Sequence, residues 1–277
     1  LRFTPGEIRE LLRRAEIEIS ETQAKAIARN AEGWITGVVL ILDLLHGGAD
    51  SVLIDTEKVT SQTYGYLASE VLDRQPPDIR RFLHTSSTLR EMSTRLCRTA
   101  LSIGRAHSLL VEVERRNLFL TRFGDTTGAA YRYHNLFREF LQERLQQREP
   151  ALYTDLHRRA GAWFEQQHDV EEAVYHYLAA EAYPRATRLM EQVVVEWFAR
   201  GRAETLLAWA EALPDQVKNQ APWLSLYPSK VLTDRYDYEG AREALDFAAT
   251  GFADRADPTR LARVHDQRAT LALFECR

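Results

Sequence analysis

The sequence predicts a mostly α-helical protein: a helical domain, then three helices closed by a short β-hairpin, then a stack of helix pairs. Three observations carry that expectation. Helix-start signals followed by apolar stripes at helical spacing recur along nearly the whole chain. The strand-like runs form one adjacent pair, residues 118–123 and 130–133, joined by Gly124-Asp125-Thr126-Thr127-Gly128. After Pro150, alanines recur beside large aromatics, and small faces are what let antiparallel helix pairs stack closely.

The first helix opens at Thr4-Pro5-Gly6-Glu7. Thr4 is a cap, Pro5 suits the first helical position and Glu7 stands at the capping-box offset, with Ile8, Leu11 and Leu12 as the apolar face. Ser20-Glu21-Thr22-Gln23 repeats the box ahead of a stripe of Ala24, Ile27, Ala28 and Ala31, and Gly33 ends or bends that helix. Residues 34–45 are apolar on nearly every side up to Gly47-Gly48, which predicts a buried helix. A further helix turns Tyr64, Leu67, Ala68 and Val71 inward, and Gln75-Pro76-Pro77-Asp78 closes a helical arm domain over residues 1–75.

Residues 76–149 change pattern. Helices start at Ile79-Phe82-Leu83, at Ser93 and at Ala106, and the two strand-like runs follow. A hairpin hung on three helices is the outline of a winged helix, and an amphipathic helix from Leu136 to Leu145 leads out of it. Over 150–277 one helix is lined by Leu156, Ala160, Trp163 and Phe164, and its partner by Val170, Ala173, Val174 and Tyr177. Residues 186–198 pair with 203–213, and 224–234 with 238–249. The phrase Tyr236-Asp237-Tyr238-Glu239-Gly240-Ala241 resembles the turn into the second helix of a tetratricopeptide repeat, so this region is expected to be a tetratricopeptide-like α-helical solenoid with its repeat number open.

Composition bounds the function. The 277 residues carry 36 Lys+Arg against 40 Asp+Glu, a formal charge of −4, with 45% hydrophobic and 27% charged residues. That is an ordinary folded chain of one large or two to three small domains, not a disordered or fibrous one. Cys97 and Cys276 stand far apart in no C-x-x-C arrangement, which removes a disulfide framework and a cysteine zinc site and makes the cytoplasm the expected location. The longest apolar run is shorter than the roughly 20 residues of a membrane helix. Starting at Leu1 and stopping on what reads as an unfinished helix, the chain is expected to be a piece of a longer protein.

Enzyme chemistry has no carrier here. The phosphate loop, the dinucleotide-binding glycine turn, the zinc-protease helix and the nucleophile elbow are all missing. His157, His168 and His176 lack neighbouring acidic or thiol ligands at short spacing, so they read as satisfied or solvent-facing histidines and no metal is expected. Asp169-Val170-Glu171-Glu172 reads as favourable charge at a helix start. Residues 78–149 hold 13 Arg against 8 acidic residues, a local charge of +5 that invites nucleic acid, but Glu112 and Glu114 on the candidate recognition helix repel phosphate.

The run Tyr131-Arg132-Tyr133-His134-Asn135-Leu136-Phe137-Arg138-Glu139-Phe140-Leu141 carries a resemblance. With Asn117-Leu118-Phe119-Leu120 before it, and Leu1-Arg2-Phe3 and Glu32-Gly33-Trp34-Ile35-Thr36-Gly37 upstream, it is similar to the bacterial signal-transduction ATPases of the MalT type, ATP-dependent LuxR-family transcription regulators. The resemblance implies a parent with a nucleotide-binding domain, a helical arm, a winged helix, sensor repeats and commonly a terminal DNA-binding domain, of which this chain would be the regulatory middle. It implies that Phe3 passes near the adenine, that Gly33 and Trp34 lie against the nucleotide in the closed state, and that His134 reaches the β-phosphate of bound ADP. An imidazole with an ordinary pKa near 6.5 is readily made cationic by such a phosphate. Asn135 stands where many relatives have Pro.

No cofactor is expected on this stretch alone; ADP or ATP with magnesium belongs to the parent. Implied partners are the parent's own nucleotide-binding domain, an inducer or regulatory protein on the repeats, a second copy in the active state, and DNA through a domain outside this chain, with no membrane. Other readings stay open. His134 caps the helix from Asn135 and does nothing else, Trp34 is a core aromatic, and Trp163, Tyr175, Trp197 and Trp209 are core residues rather than a ligand surface. The chain as a whole is then a docking scaffold without nucleotide dependence, or a DNA binder whose affinity needs Arg95, Arg98, Arg105 and Arg115.

Overall fold

A computed structural model describes residues 4–14, 20–22, 24–25, 68–69, 71–124 and 129–275. Phe3, Gly33, Trp34, the expected buried helix at 34–45 and the joint at 50–60 lie outside the described residues. The chain divides into two compact units, Leu1–Leu156 and His157–Arg277.

In the first unit, α1 (Pro5–Arg14) begins on a reciprocal capping box: Glu7 N–H donates to Thr4 Oγ1 at 3.3 Å, and Thr4 N–H donates back to the Glu7 carboxylate at 2.8 Å. The Thr4 N–H bond and a 2.9 Å bond from the Thr4 hydroxyl to the same carboxylate draw the Glu7 carboxyl below its usual range. The winged helix then follows as α2 (Pro77–Ser86), α3 (Thr94–Thr99), α4 (Ala106–Arg115), β1 (Leu120–Phe123), β2 (Ala130–Tyr133) and α5 (Asn135–Arg148). Ser93 caps α3 by accepting from Leu96 N–H. The strands are antiparallel with Leu120 opposite Tyr133, so the first strand is two residues shorter than the sequence expects. Residues 118–119 are taken instead by a turn in which Asn117 and Phe119 both have left-handed backbones, φ 53° and 54°. Met92 adds a third, single-residue strand, exchanging two backbone bonds of 2.7 and 2.8 Å with Tyr131. The core between these elements holds Phe82, Leu83, Leu110, Val113, Tyr133, Phe137 and Leu141, all fully buried.

The second unit is helical throughout. After α6 (Pro150–Gln166), whose residues are shared between the two units, come α7 (Val170–Ala179), α8 (Tyr183–Ala199), α9 (Ala203–Glu211), a one-turn α10 (Asp215–Lys218), α11 (Trp223–Asp234), α12 (Tyr238–Asp254) and α13 (Pro258–Glu275). Sequence pattern alone does not announce α10. Chain neighbours pack on one another: α7 on α8, α8 on α9, α11 on α12 and α12 on α13.

One joint recurs five times. His168, Glu181, Gly201, Tyr236 and Ala256 all have φ between 50° and 78°, and each is followed by a residue whose N–H reaches five positions back: Asp169 to Phe164, Ala182 to Tyr177, Arg202 to Trp197, Asp237 to Leu232 and Asp257 to Phe252, at 2.8–3.0 Å. This is the Schellman arrangement, which satisfies the last carbonyls of one helix while reversing the chain into the next. At Asp169 and Asp237 the same residue then caps the new helix with its side chain. The turns at His168, Gly201 and Tyr236 are 33 and 35 positions apart. An ion pair repeats with them: Arg202 to Glu171 and, 33 positions on, Arg235 to Glu204.

Close approach of α6 and α7 depends on Gly161, where a Cβ would come within 2.9 Å of the Tyr177 ring. Tyr177 cannot retreat, being fully buried with its hydroxyl donating to Glu165 at 2.6 Å. Gly161→Ala is therefore expected to destabilise the second unit by about 1–3 kcal/mol, read as a lower thermal midpoint. Ala256→Gly is expected to do the reverse by about 0.5–1 kcal/mol in urea unfolding, since only glycine adopts that left-handed turn without a steric cost.

Candidate functional site

His134 links the end of β2 to the start of α5, and its backbone is held at both ends. Its N–H donates to the Phe119 carbonyl at 2.9 Å and its own carbonyl accepts from Arg138 N–H at 2.9 Å. The left-handed backbone at Phe119 is what turns that carbonyl toward His134, and non-glycine residues held there cost of order 1 kcal/mol or more. The neighbours repay the strain by packing: the Phe119 and Phe137 rings stand 4.5 Å apart, and Tyr133 meets Phe137 edge-on at 5.9 Å.

The helix-start reading needs a correction in detail. His134 is the N-cap through its backbone, with φ −57° and ψ 137°, but its imidazole makes no capping bond. Asn135 is the first helical residue, a position that proline suits equally. The imidazole is half-buried, with Nδ1 out of solvent, beside the N-terminal turn of a 14-residue helix. The positive end of the helix dipole favours an anion at such a place. Of the four residues expected at a nucleotide, His134 is the one whose place is described; Phe3, Gly33 and Trp34 lie outside the described residues, so no distance joins them to it.

Beneath His134 lies a polar cluster that the sequence reading missed. At the end of α2, Thr85, Ser86 and Thr88 are buried, and each hydroxyl donates back to a helix carbonyl. Ser86 Oγ also shares a 2.8 Å hydrogen bond with Tyr133 OH. Burial pushes the Tyr133 phenol up, so it remains neutral and able to donate. Its signal was present as the run His84-Thr85-Ser86-Ser87-Thr88, hydroxyls that compete for the last carbonyls of a helix. Cys97 is buried in the same core, its thiol pushed up to about 12 by desolvation, which removes it as a nucleophile.

The face that nucleic acid would use is partly self-neutralised. On α4, Glu112 binds both Arg115 and Arg116, at 2.7 and 2.6 Å, and these bonds hold its carboxyl down at about 2. Arg105 stands 3.7 Å from Asp78. Two of the four arginines that duplex binding requires are thus engaged with carboxylates.

In the second unit, His157 and His176 are fully buried rather than solvent-facing, with their Nδ1 atoms 3.0 Å apart, so one ring donates and the other accepts. His168 is exposed at a turn. Among the described residues no group of three or more histidine, cysteine or acidic side chains is placed to hold a metal. The four aromatics proposed for a ligand surface fall into two packing clusters. Trp163 and Tyr175 join Phe164 and His176, while Trp197 meets Trp209 at 4.9 Å under the Arg202 guanidinium.

Comparison with known proteins places this geometry. Residues 68–153 match the MalT winged helix domain. The chain carries a MalT-type winged helix. It is 27% identical over 278 residues to the HTH-type transcriptional regulator MalT of Cronobacter sakazakii, covering 99% of this chain and 31% of that protein. It is 32% identical over 217 residues to the serine/threonine-protein kinase PknK of Mycobacterium tuberculosis, and equally to that of Mycobacterium bovis, covering 77% of this chain and 20% of the kinase. These similarities link it to the MalT superfamily, and the chain spans about a fifth to a third of the length of these relatives. The MalT match begins eight residues before the proline punctuation at 76. Arg144 of α5 explains the extension, since it bonds Ser69 at 2.7 Å and Asp73 at 3.0 Å.

His84, at the end of α2, bonds the Leu141 carbonyl, and desolvation draws its pKa below the ordinary value. The unfolded chain therefore takes up a proton near pH 6.5 that the folded unit resists. Stability of the winged helix is expected to be full above that pH and to fall as pH drops through it. Thermal melts across that range should show a flatter acid limb for His84→Gln than for the parent sequence.

Proposed function

We propose that this chain is the regulatory middle of an ATP-dependent, inducer-responsive transcription regulator, in which the winged helix helps hold the ADP-bound resting form. The observation that carries the reading is the placement of His134. In a segment that matches the MalT winged helix domain, a strained turn at Phe119 and an aromatic platform present its imidazole beside the start of α5. The donor set suits a phosphate oxygen: an imidazole that becomes cationic on meeting an anion, backed by the N-terminal turn of α5. Backbone strain of this kind clusters where a group must be held against its local preference.

The relatives support control rather than chemistry. One is named a transcriptional regulator and the others are named kinases, and a segment shared by both kinds is read as a module that governs other domains. ADP or ATP would be bound chiefly by a nucleotide-binding domain of the parent, with DNA contacted through a separate domain. The second unit is read as the sensor solenoid. Its turns 33 and 35 residues apart and its ion pair repeated at 33 fit the period of a tetratricopeptide repeat, roughly 34 residues. Inducer binding there would shift the population from the closed packing to an open, self-associating one.

The test is calorimetric titration of ADP into the longest natural form that contains the nucleotide-binding domain. His134→Ala is expected to weaken binding by about 1–3 kcal/mol, the worth of one charge-assisted contact. Binding indifferent to the substitution would remove His134 from the nucleotide and with it this reading of the winged helix.

A further inference from the structure

The second unit contains a cavity of about 240 Å³ between α8, α11 and α13. Leu226 and Tyr227, both buried, belong to its lining with Phe198, whose ring meets Tyr227 edge-on at 5.4 Å. Val195 adds an apolar side chain that is 49% exposed. The polar lining comes from α13: Arg263, Asp266 and Gln267.

Several arginines of this unit reach across to carboxylates of other helices, as Arg188 does to Glu165, Arg242 to Glu275, Arg260 to Glu191 and Arg268 to Asp246, while Arg185 bonds the Tyr177 hydroxyl. Arg263 Nη1 donates to Tyr227 OH at 2.8 Å, and among the described residues Arg263 forms no ion pair. Asp266, one turn further along the same helix, also forms none there. The phenol anchors the guanidinium at the cavity and uses one of its five N–H donors, leaving a planar fork of the kind that binds carboxylates two-pronged.

We infer that this cavity binds a free apolar α-amino acid. Arg263 takes the carboxylate, Asp266 takes the ammonium group, and the side chain enters against Phe198, Leu226 and Tyr227. The two charges argue for a zwitterion, because a simple carboxylate would be repelled by Asp266 and a simple amine by Arg263. The volume argues for a small one, since sites for drug-sized molecules start at roughly 300 Å³. Leucine or phenylalanine matches the size and the branched and aromatic walls. This inference rests on the cavity alone and stands or falls separately from the role of His134.

The test uses the whole 277-residue chain. L-Phenylalanine and L-leucine are titrated by calorimetry beside 3-phenylpropionate, which lacks the ammonium, and L-phenylalaninamide, which lacks the carboxylate. At least one amino acid is expected to bind, with each truncated relative of phenylalanine weaker by about tenfold or more, the scale of one lost charge-assisted bond. Arg263→Gln should weaken phenylalanine and 3-phenylpropionate together, while Asp266→Asn should weaken phenylalanine and spare or improve 3-phenylpropionate. Both residues are exposed, and circular dichroism checks that each variant folds. Absence of binding by both amino acids, equal binding of a truncated relative, or indifference to both substitutions would overturn the inference.

Discussion

Short helices are marginal by themselves in water, because nucleation costs more than a few turns return. Each helix of the second unit must therefore bury a face against a neighbour, and the chain must reverse within two or three residues to bring that neighbour in. The left-handed joint meets this constraint. It ends one helix, satisfies its last carbonyls and starts the next on a capping residue, as at His168-Asp169 and Tyr236-Asp237. Four of the five joints use a side-chain-bearing residue at the left-handed position, so the packing that follows has to outweigh a steric cost at each of them.

The same economy of backbone appears in the winged helix, with a different result. At Asn117 and Phe119 the left-handed turns do not join two helices; they feed a strand and bring the Phe119 carbonyl to His134. The hydrogen bond from Tyr133 to Ser86 and the ring contacts at Phe137 then tie β2 and the start of α5 to α2. The His134 backbone is thereby fixed between the Phe119 carbonyl and the first turn of α5. Exposed ion pairs contribute little to this rigidity, since each is worth at most about 1 kcal/mol. Their larger effect is on what the surface offers to partners. Glu112 draws in Arg115 and Arg116, and at the joints Arg202 engages Glu171 and Arg235 engages Glu204, which takes these charges from a partner.

Local signals were legible. The capping box at Thr4 and Glu7, the helix start at Ser93, the Asp169 and Asp237 starts and the strand at 130–133 all follow from residues within four positions of one another, and each is found in the structure. His134 was legible too, but its bond to Phe119 was not, because nothing in Leu118-Phe119-Leu120 announces a left-handed backbone. Joints at Glu181 and Ala256 lack the glycine that normally marks such a turn. For His157 and His176 the sequence left satisfied and solvent-facing readings open, because their pairing joins two helices and leaves no trace in either.

The sequence by itself determined where most of the described helices start, that one hairpin follows three of them, and that chemistry of the usual enzymatic kinds has no motif here, because caps, stripes and motifs act over a few residues. Tertiary structure alone decided the Met92 strand, the mount beneath His134, the partly neutralised face of α4 and the cavity between α8, α11 and α13. Tyr227 and Arg263 are 36 positions apart and meet through packing alone. Contacts at that separation depend on which helix faces which, and that is set by the sum of many weak apolar contacts rather than by any residue that can be read singly.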